Sequence, residues 1–149
     1  MKILIIHGPN LNLLGKREPD QYGVLTLDQI NKMILERAQK ETVEVKIFQA
    51  NSEGEIISEI HRAIGVFDGL VINPAAYTHT SIALRDALLA VELPTVEVHL
   101  SNVYQREEFR KQSMISDVAI GVISGFREQS YILGLEALIY YLKTLNPNP

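Results

Sequence analysis

Lys2-Ile3-Leu4-Ile5-Ile6-His7-Gly8-Pro9-Asn10 sets an unbroken aliphatic run between a lysine and a His-Gly-Pro break. A strand with one wet face alternates apolar and polar residues. A continuous run of this length belongs to a strand covered on both faces, as in a parallel sheet. Similar runs recur at 43–49, at Gly69–Asn73, at Thr95–His99 and at 118–124. Between them the apolar spacing changes to that of a helix. Over 26–39, Thr26 stands as N-cap with Gln29 three residues on, and Leu27, Ile30, Ile34 and Ala38 share one face. Ser52 and Glu55 open a second helix with an Ile56, Ile60, Ala63, Ile64 stripe. Further helices are expected at 81–91 and 131–145, with a short charged turn at 106–111. Alternating strands and helices imply a doubly wound α/β domain. With five strands this is the flavodoxin-like arrangement, a parallel sheet in the order 2-1-3-4-5 with helices on both faces.

The 149 residues read as one domain, 1–149, with no linker or repeat. At 46% hydrophobic and 21% charged, the composition is that of a globular chain rather than a disordered one. There is no cysteine, which removes disulfides, thiolate metal sites and a cysteine nucleophile together. The net charge of −4 argues against a nucleic-acid binder. It leaves room for a small anion, because seven of the fourteen cations are arginines. The first apolar run is too short for a signal peptide, and none approaches the ~20 residues of a membrane span. A cytoplasmic protein is the expectation. The tail Asn146-Pro147-Asn148-Pro149 is expected to fray.

In such sheets ligands bind beyond the carboxyl ends of the strands. The loop from Gly8 to Thr26 is long for a strand-to-helix connection and suits a lid. It lacks a Gly-x-x-x-x-Gly-Lys-Ser/Thr phosphate loop and a Gly-x-Gly-x-x-Gly fingerprint. It does carry Arg17 and Tyr22. Tyrosine, with a pKa near 10, becomes a base only where a cation stabilises its phenolate; the alternative is a packed ring and a solvated arginine. Asn73 to Ser81 offers hydrogen-bonding groups before a helix, suited to a hydroxylated acid or simply to capping. His99 ends an apolar strand, placed for proton transfer with Glu97 two residues away, or satisfied by a backbone carbonyl. Arg106 and Arg110, four apart, either face one cleft or pair with Glu107, Glu108 or Asp117. No His-Glu-x-x-His metal pair and no Gly-x-Ser-x-Gly elbow occurs. A flavin-binding module is the rival class, but the first loop holds asparagines and leucines where a Ser/Thr-rich phosphate loop is needed.

Four loop motifs agree in order and spacing. They are Gly8-Pro9-Asn10-Leu11-Asn12-Leu13-Leu14-Gly15 with Arg17-Glu18-Pro19 and Tyr22-Gly23; Gln49 with Asn51-Ser52-Glu53-Gly54; Asn73-Pro74-Ala75-Ala76-Tyr77-Thr78-His79-Thr80-Ser81; and Glu97-Val98-His99-Leu100-Ser101-Asn102 with Arg106-Glu107-Glu108-Phe109-Arg110. Together they resemble the type II 3-dehydroquinate dehydratases of the shikimate pathway. The resemblance implies anti elimination of water from 3-dehydroquinate through an enolate, without metal, cofactor or Schiff base. Tyr22 would be the proton acceptor, Arg17 the group favouring its phenolate, and His99 the proton donor. Asn10 would hold a water against the enolate oxygen. Asn73, His79, Leu100, Ser101 and Arg110 would bind substrate, with Asp86 reaching in from a neighbouring subunit. The family assembles as a dodecamer, a tetramer of trimers. One departure is Arg127, where relatives often carry glycine.

Overall fold

The computed structural model describes residues 1–146, so Pro147, Asn148 and Pro149 of the expected frayed tail lie outside the described residues. The strands are β1 (Lys2–His7), β2 (Glu44–Gln49), β3 (Gly69–Asn73), β4 (Thr95–His99) and β5 (Gly121–Ser124). All pair in parallel, in the order β2-β1-β3-β4-β5. The helices are a single turn α1 (Pro19–Tyr22), then α2 (Leu27–Glu41), α3 (Glu53–Arg62), α4 (Ile82–Val91) and α5 (Gln129–Leu145). Among the described residues no helix is long and apolar enough to cross a membrane.

The aliphatic run of β1 explains the layering. Ile3 and Ile5 join a core with Ile30 and Ile34 of α2 and Leu135 and Leu138 of α5. Leu4 and Ile6, pointing the other way, join Ile56 and Ile60 of α3 and Leu84 and Leu88 of α4. Each face of the strand is dry, so alternation is absent. Thr26 and Gln29 make the full capping box on α2, and Ser52 and Ser81 cap α3 and α4.

Four details differ from the sequence reading. The fifth strand starts at Gly121 and not at 118, because Val118 and Ala119 turn back to the Ile115 carbonyl. Ile64 lies beyond the end of α3 and is 60% exposed, so it leaves the apolar stripe. The charged turn at 106–111 is two separate 3-10 turns, Val103–Gln105 and Glu108–Arg110, with Arg106 extended between them. Arg106 and Arg110 therefore share no helical face. Asn146, placed in the frayed tail, is hydrogen-bonded to Leu142 at the end of α5. Arg127 has φ of 51°, a left-handed conformation that glycine adopts without penalty.

Two features hold the carboxyl ends of the central strands together. Gly8 donates from its amide to Asn73 O at 2.7 Å, and a Cβ there would fall 2.5 Å from the Pro74 carbonyl oxygen. Backbone cannot yield as a side-chain tip does. Gly8→Ala is expected to cost about 2–3 kcal/mol in stability, read as a lower urea midpoint; an unmoved midpoint would refute the close approach.

His7, completely buried, is a core group rather than a ligand group. Asn31 of α2 presents its Oδ1 to Nε2 at 2.8 Å, so Nε2 donates and Nδ1 accepts from the Tyr131 hydroxyl of α5 at 2.6 Å. Burial lowers the His7 pKa from 6.5 to about 4, against the opposing effect of the Asn31 bond. Between those pH values the unfolded chain binds a proton that the folded chain does not. Stability therefore falls as pH drops through that window, by about 3 kcal/mol in all. Urea titrations between pH 7 and 4 should show this loss, and His7→Gln should remove it. Equal pH slopes for the two proteins would contradict it.

Candidate active site

Loops after β1, β3 and β4 close around one cavity at the carboxyl edge of the sheet. Asn10, Arg17, Tyr22, Asn73, His79, His99, Leu100, Ser101, Arg106 and Arg110 all line it. Of the ten residues singled out from the sequence, nine meet here. Asp86 lies on the exposed side of α4 and is not among the lining residues.

The lid is shaped by its backbone. Asn10 adopts a left-handed conformation (φ 67°) before a 3-10 turn at Leu11–Leu13, and its amide donates to Asn51 Oδ1 at 2.9 Å. Gln49 braces the same corner by donating to the Gly8 carbonyl and to Asn51. Further on, Pro19 starts α1 with its fixed φ, and Gly23 ends it at φ 87°. That single turn delivers Tyr22 to the cavity.

The surroundings of Tyr22 are cationic. Its hydroxyl accepts a hydrogen bond from Arg106 Nη1 at 2.9 Å. The guanidinium carbons of Arg17 and Arg106 each lie 5.2 Å from the ring centroid. Two delocalised cations thus flank one phenol. Glu18 partly balances them, at 3.4 Å from Arg17 and 3.9 Å from Arg106. Sequence reasoning assigned the phenol's cation to Arg17 alone. The hydrogen bond comes from Arg106, for which the sequence offers a place in the cleft beside Arg110 but no link to Tyr22. Its only signal was the four-residue spacing to Arg110.

Across the cavity, His99 Nε2 donates to Glu97 Oε1 at 2.6 Å. The i, i+2 spacing on a regular strand puts both side chains on one face. Of the two readings open for His99, the carboxylate-held ring is the one present, and its Nδ1 is left for a ligand. His79 is held by its Nδ1, which donates to Gln112 O at 2.8 Å. Burial, the largest influence, lowers the His79 pKa, so the neutral ring offers Nε2 as an acceptor for a hydroxyl. Arg110 is braced by Glu107 at 2.6 Å and still lines the cavity, so the salt-bridge and cleft readings both hold. Ser101 Oγ accepts from Arg106 at 3.4 Å. Asn73 Oδ1 accepts from the Ala75 amide, turning the loop after β3 back over the site.

The arrangement thus has a phenol between guanidiniums, an imidazole backed by a carboxylate, and neutral or cationic groups for hydroxyls and an acid. It is equipped to move two protons on a small polyhydroxylated acid.

Comparison with known proteins shows the family. Residues 1–139 match the family model described as "Dehydroquinase class II". The chain is 57% identical to the 3-dehydroquinate dehydratase of Geotalea daltonii over 96% of this chain and 99% of that one. Identity to the 3-dehydroquinate dehydratase of Gloeothece citriformis is 59%, over 98% and 96% of the two chains. The crystal structure of type II dehydroquinase from Butyrivibrio crossotus superposes with a TM-score of 0.92 at 46% identity, covering 93% of this chain and 97% of that one. On sequence and on fold alike, the chain belongs to the class II dehydroquinase family.

Proposed function

We propose that this cavity dehydrates 3-dehydroquinate to 3-dehydroshikimate, with Tyr22 as proton acceptor and His99 as proton donor. The reading rests most on one observation: the Tyr22 hydroxyl is held by Arg106 in the same cavity as a His99 ring bonded to Glu97.

The Tyr22 phenolate takes a proton from C2, and the C–H electron pair passes into the enolate of the neighbouring ketone. An α-proton of a ketone is too weak an acid for this unless the charge is met. Arg17 and Arg106 stabilise the phenolate before the transfer. A water held by Asn10 donates to the enolate oxygen after it. The enolate then re-forms the ketone as the C1–O bond breaks. His99 gives its proton to the departing hydroxyl, which leaves as water. Glu97 stabilises the imidazolium that serves as donor. Tyr22 ends protonated and His99 deprotonated, so one proton must return between them or through solvent before the next cycle.

Arg110 pairs with the substrate carboxylate. Asn73, His79, the backbone at Leu100-Ser101 and the Ser101 side chain take hydroxyls and carboxylate oxygens. Asp86 is assigned to the site of an adjacent copy, since its own helix turns it outward. That placement supports a homo-oligomer, for which we infer the dodecamer, a tetramer of trimers, to be checked by sedimentation. A cytoplasmic location is proposed on the same family grounds.

Incubation with 3-dehydroquinate should produce the absorbance of a conjugated enone. Borohydride added with substrate should leave activity intact; a trapped lysine adduct would favour imine chemistry instead. His99→Asn is expected to lower kcat by about 10²–10⁴-fold. Full turnover by that variant would remove His99 as the donor.

A further inference from the structure

Glu97 is completely buried, and no lysine or arginine forms an ion pair with it among the described residues. An isolated carboxylate in such a place is costly unless its oxygens are met by donors. Here they are met by hydroxyls. Oε1 accepts from His99, from Thr78 Oγ1 and, at 3.2 Å, from Ser113 Oγ. Oε2 accepts from Ser116 Oγ at 2.8 Å and from Ser113 Oγ at 3.2 Å. Ser113 sits between the two oxygens.

The serines come from a segment outside the cavity lining, running from 112 to 117 between the Glu108–Arg110 turn and β5. That segment is latched to the loop after β3. Met114 N donates to Thr78 O at 2.7 Å, and Arg85 of α4 donates to Met114 O and pairs with Asp117. Ser113 in turn receives the amides of Ile115 and Ser116. The Ser113 hydroxyl is therefore fixed by backbone and is not a free rotor that happens to point inward.

Neutral donors do something a guanidinium does not. They pay the desolvation cost of the carboxylate while leaving its charge uncancelled. The one titratable partner left to feel that charge at hydrogen-bond range is the His99 ring. We propose that Ser113 and Ser116, with Thr78, are positioning residues for the dehydration, holding Glu97 ionised and oriented so that its full charge acts on His99. The inference rests on the reading of His99 as proton donor.

Burial by itself pushes the Glu97 carboxyl up. The bonds from His99, Thr78 and Ser116 and the charge of His99 outweigh it and hold the group below the ordinary carboxylate range. A group with a depressed pKa acts above that pKa and stops acting as pH falls through it. Removing hydroxyls therefore raises the pH at which Glu97 is lost. His79 and Arg110 are the other charged or titratable groups around the pair. Neither is touched by the serine changes.

The test is steady-state kinetics from about pH 3.5 to 9 on Ser116→Ala and on the Ser113→Ala, Ser116→Ala double variant, a range that reaches below the ordinary carboxylate value, with thermal unfolding measured in parallel. A hydroxyl bonded to a charge sets the expectation at about 10-fold in kcat for Ser116→Ala and up to about 100-fold for the double variant. KM should stay within about 2-fold, because neither serine lines the cavity. The acidic limb of kcat should move to higher pH, as the Glu97 carboxyl loses the bonds that hold it down. Ser116→Thr, which keeps the hydroxyl, should recover most of the loss. If the double variant does not fold, Ser116→Ala alone carries the same readouts.

The same substitutions in a His99→Asn background separate the two claims. With no imidazole to serve, Ser116→Ala should cost nothing further in kcat. An equal cost in both backgrounds would mean a general structural role and overturn the proposal, as would an unshifted pH profile in folded variants. If His99→Asn itself turns over normally, it is the assignment of His99 that fails, whatever the serines do.

Discussion

Tyr22→Phe is expected to lower kcat by about 10²–10⁴-fold, the range lost when a positioned general base is removed. The substitution deletes one oxygen and keeps the ring between Arg17 and Arg106, each 5.2 Å away. Packing and lid geometry should therefore survive. Affinity for an unreactive ring acid should change little, because Arg110, Asn73 and His79 remain in place. The signature is thus a fall in kcat with nearly constant inhibitor binding, which marks an interaction made in the transition state. Comparable losses in binding and turnover would instead make Tyr22 a packing residue of the lid.

Arg106→Ala carries the second large effect. The Arg106 side chain is 10% exposed and donates to the Tyr22 hydroxyl and to Ser101. Alanine leaves the phenolic oxygen without its hydrogen-bond donor and removes one of the two charges against the ring. Losing a donor aimed at developing charge typically costs about 10²–10³ in kcat. Arg106→Lys should recover only part of this, since an ammonium cannot both donate to the hydroxyl and lie against the ring face. Steady-state kinetics of both variants decide it. Near-normal turnover by the alanine variant would leave Arg17 as sufficient cation and remove Arg106 from the chemistry.

What the sequence reveals of this molecule follows the range of the interactions involved. The strands are legible because Ile3–Ile6 and its counterparts must be apolar on both faces, a demand written locally. Helix starts are legible at Thr26, Ser52 and Ser81 because capping is a matter of three residues. The His99–Glu97 pair is legible because a strand's period places i and i+2 together. Arg106 as the donor to Tyr22 is not, since the two lie 84 residues apart and Arg106 leaves the helical spacing that suggested its direction. The hydroxyls on Glu97 are hidden for the same reason. Ser113 and Ser116 follow a lysine and a glutamine in a segment with no periodicity, and only the fold brings them to β4. His7 stands at the same carboxyl edge of the sheet as the site, yet α2 and α5 meet above it and consume both ring nitrogens.

The division of labour between phenol and imidazole is tested most directly by proton NMR of the C2 hydrogen of 3-dehydroquinate in D2O. With His99→Asn, that hydrogen should exchange for deuterium while little dehydroshikimate forms, because the base still works and the leaving group is stranded. With Tyr22→Phe, neither exchange nor product should appear. Exchange at an undiminished rate in the Tyr22→Phe enzyme would place the base elsewhere and contradict the account.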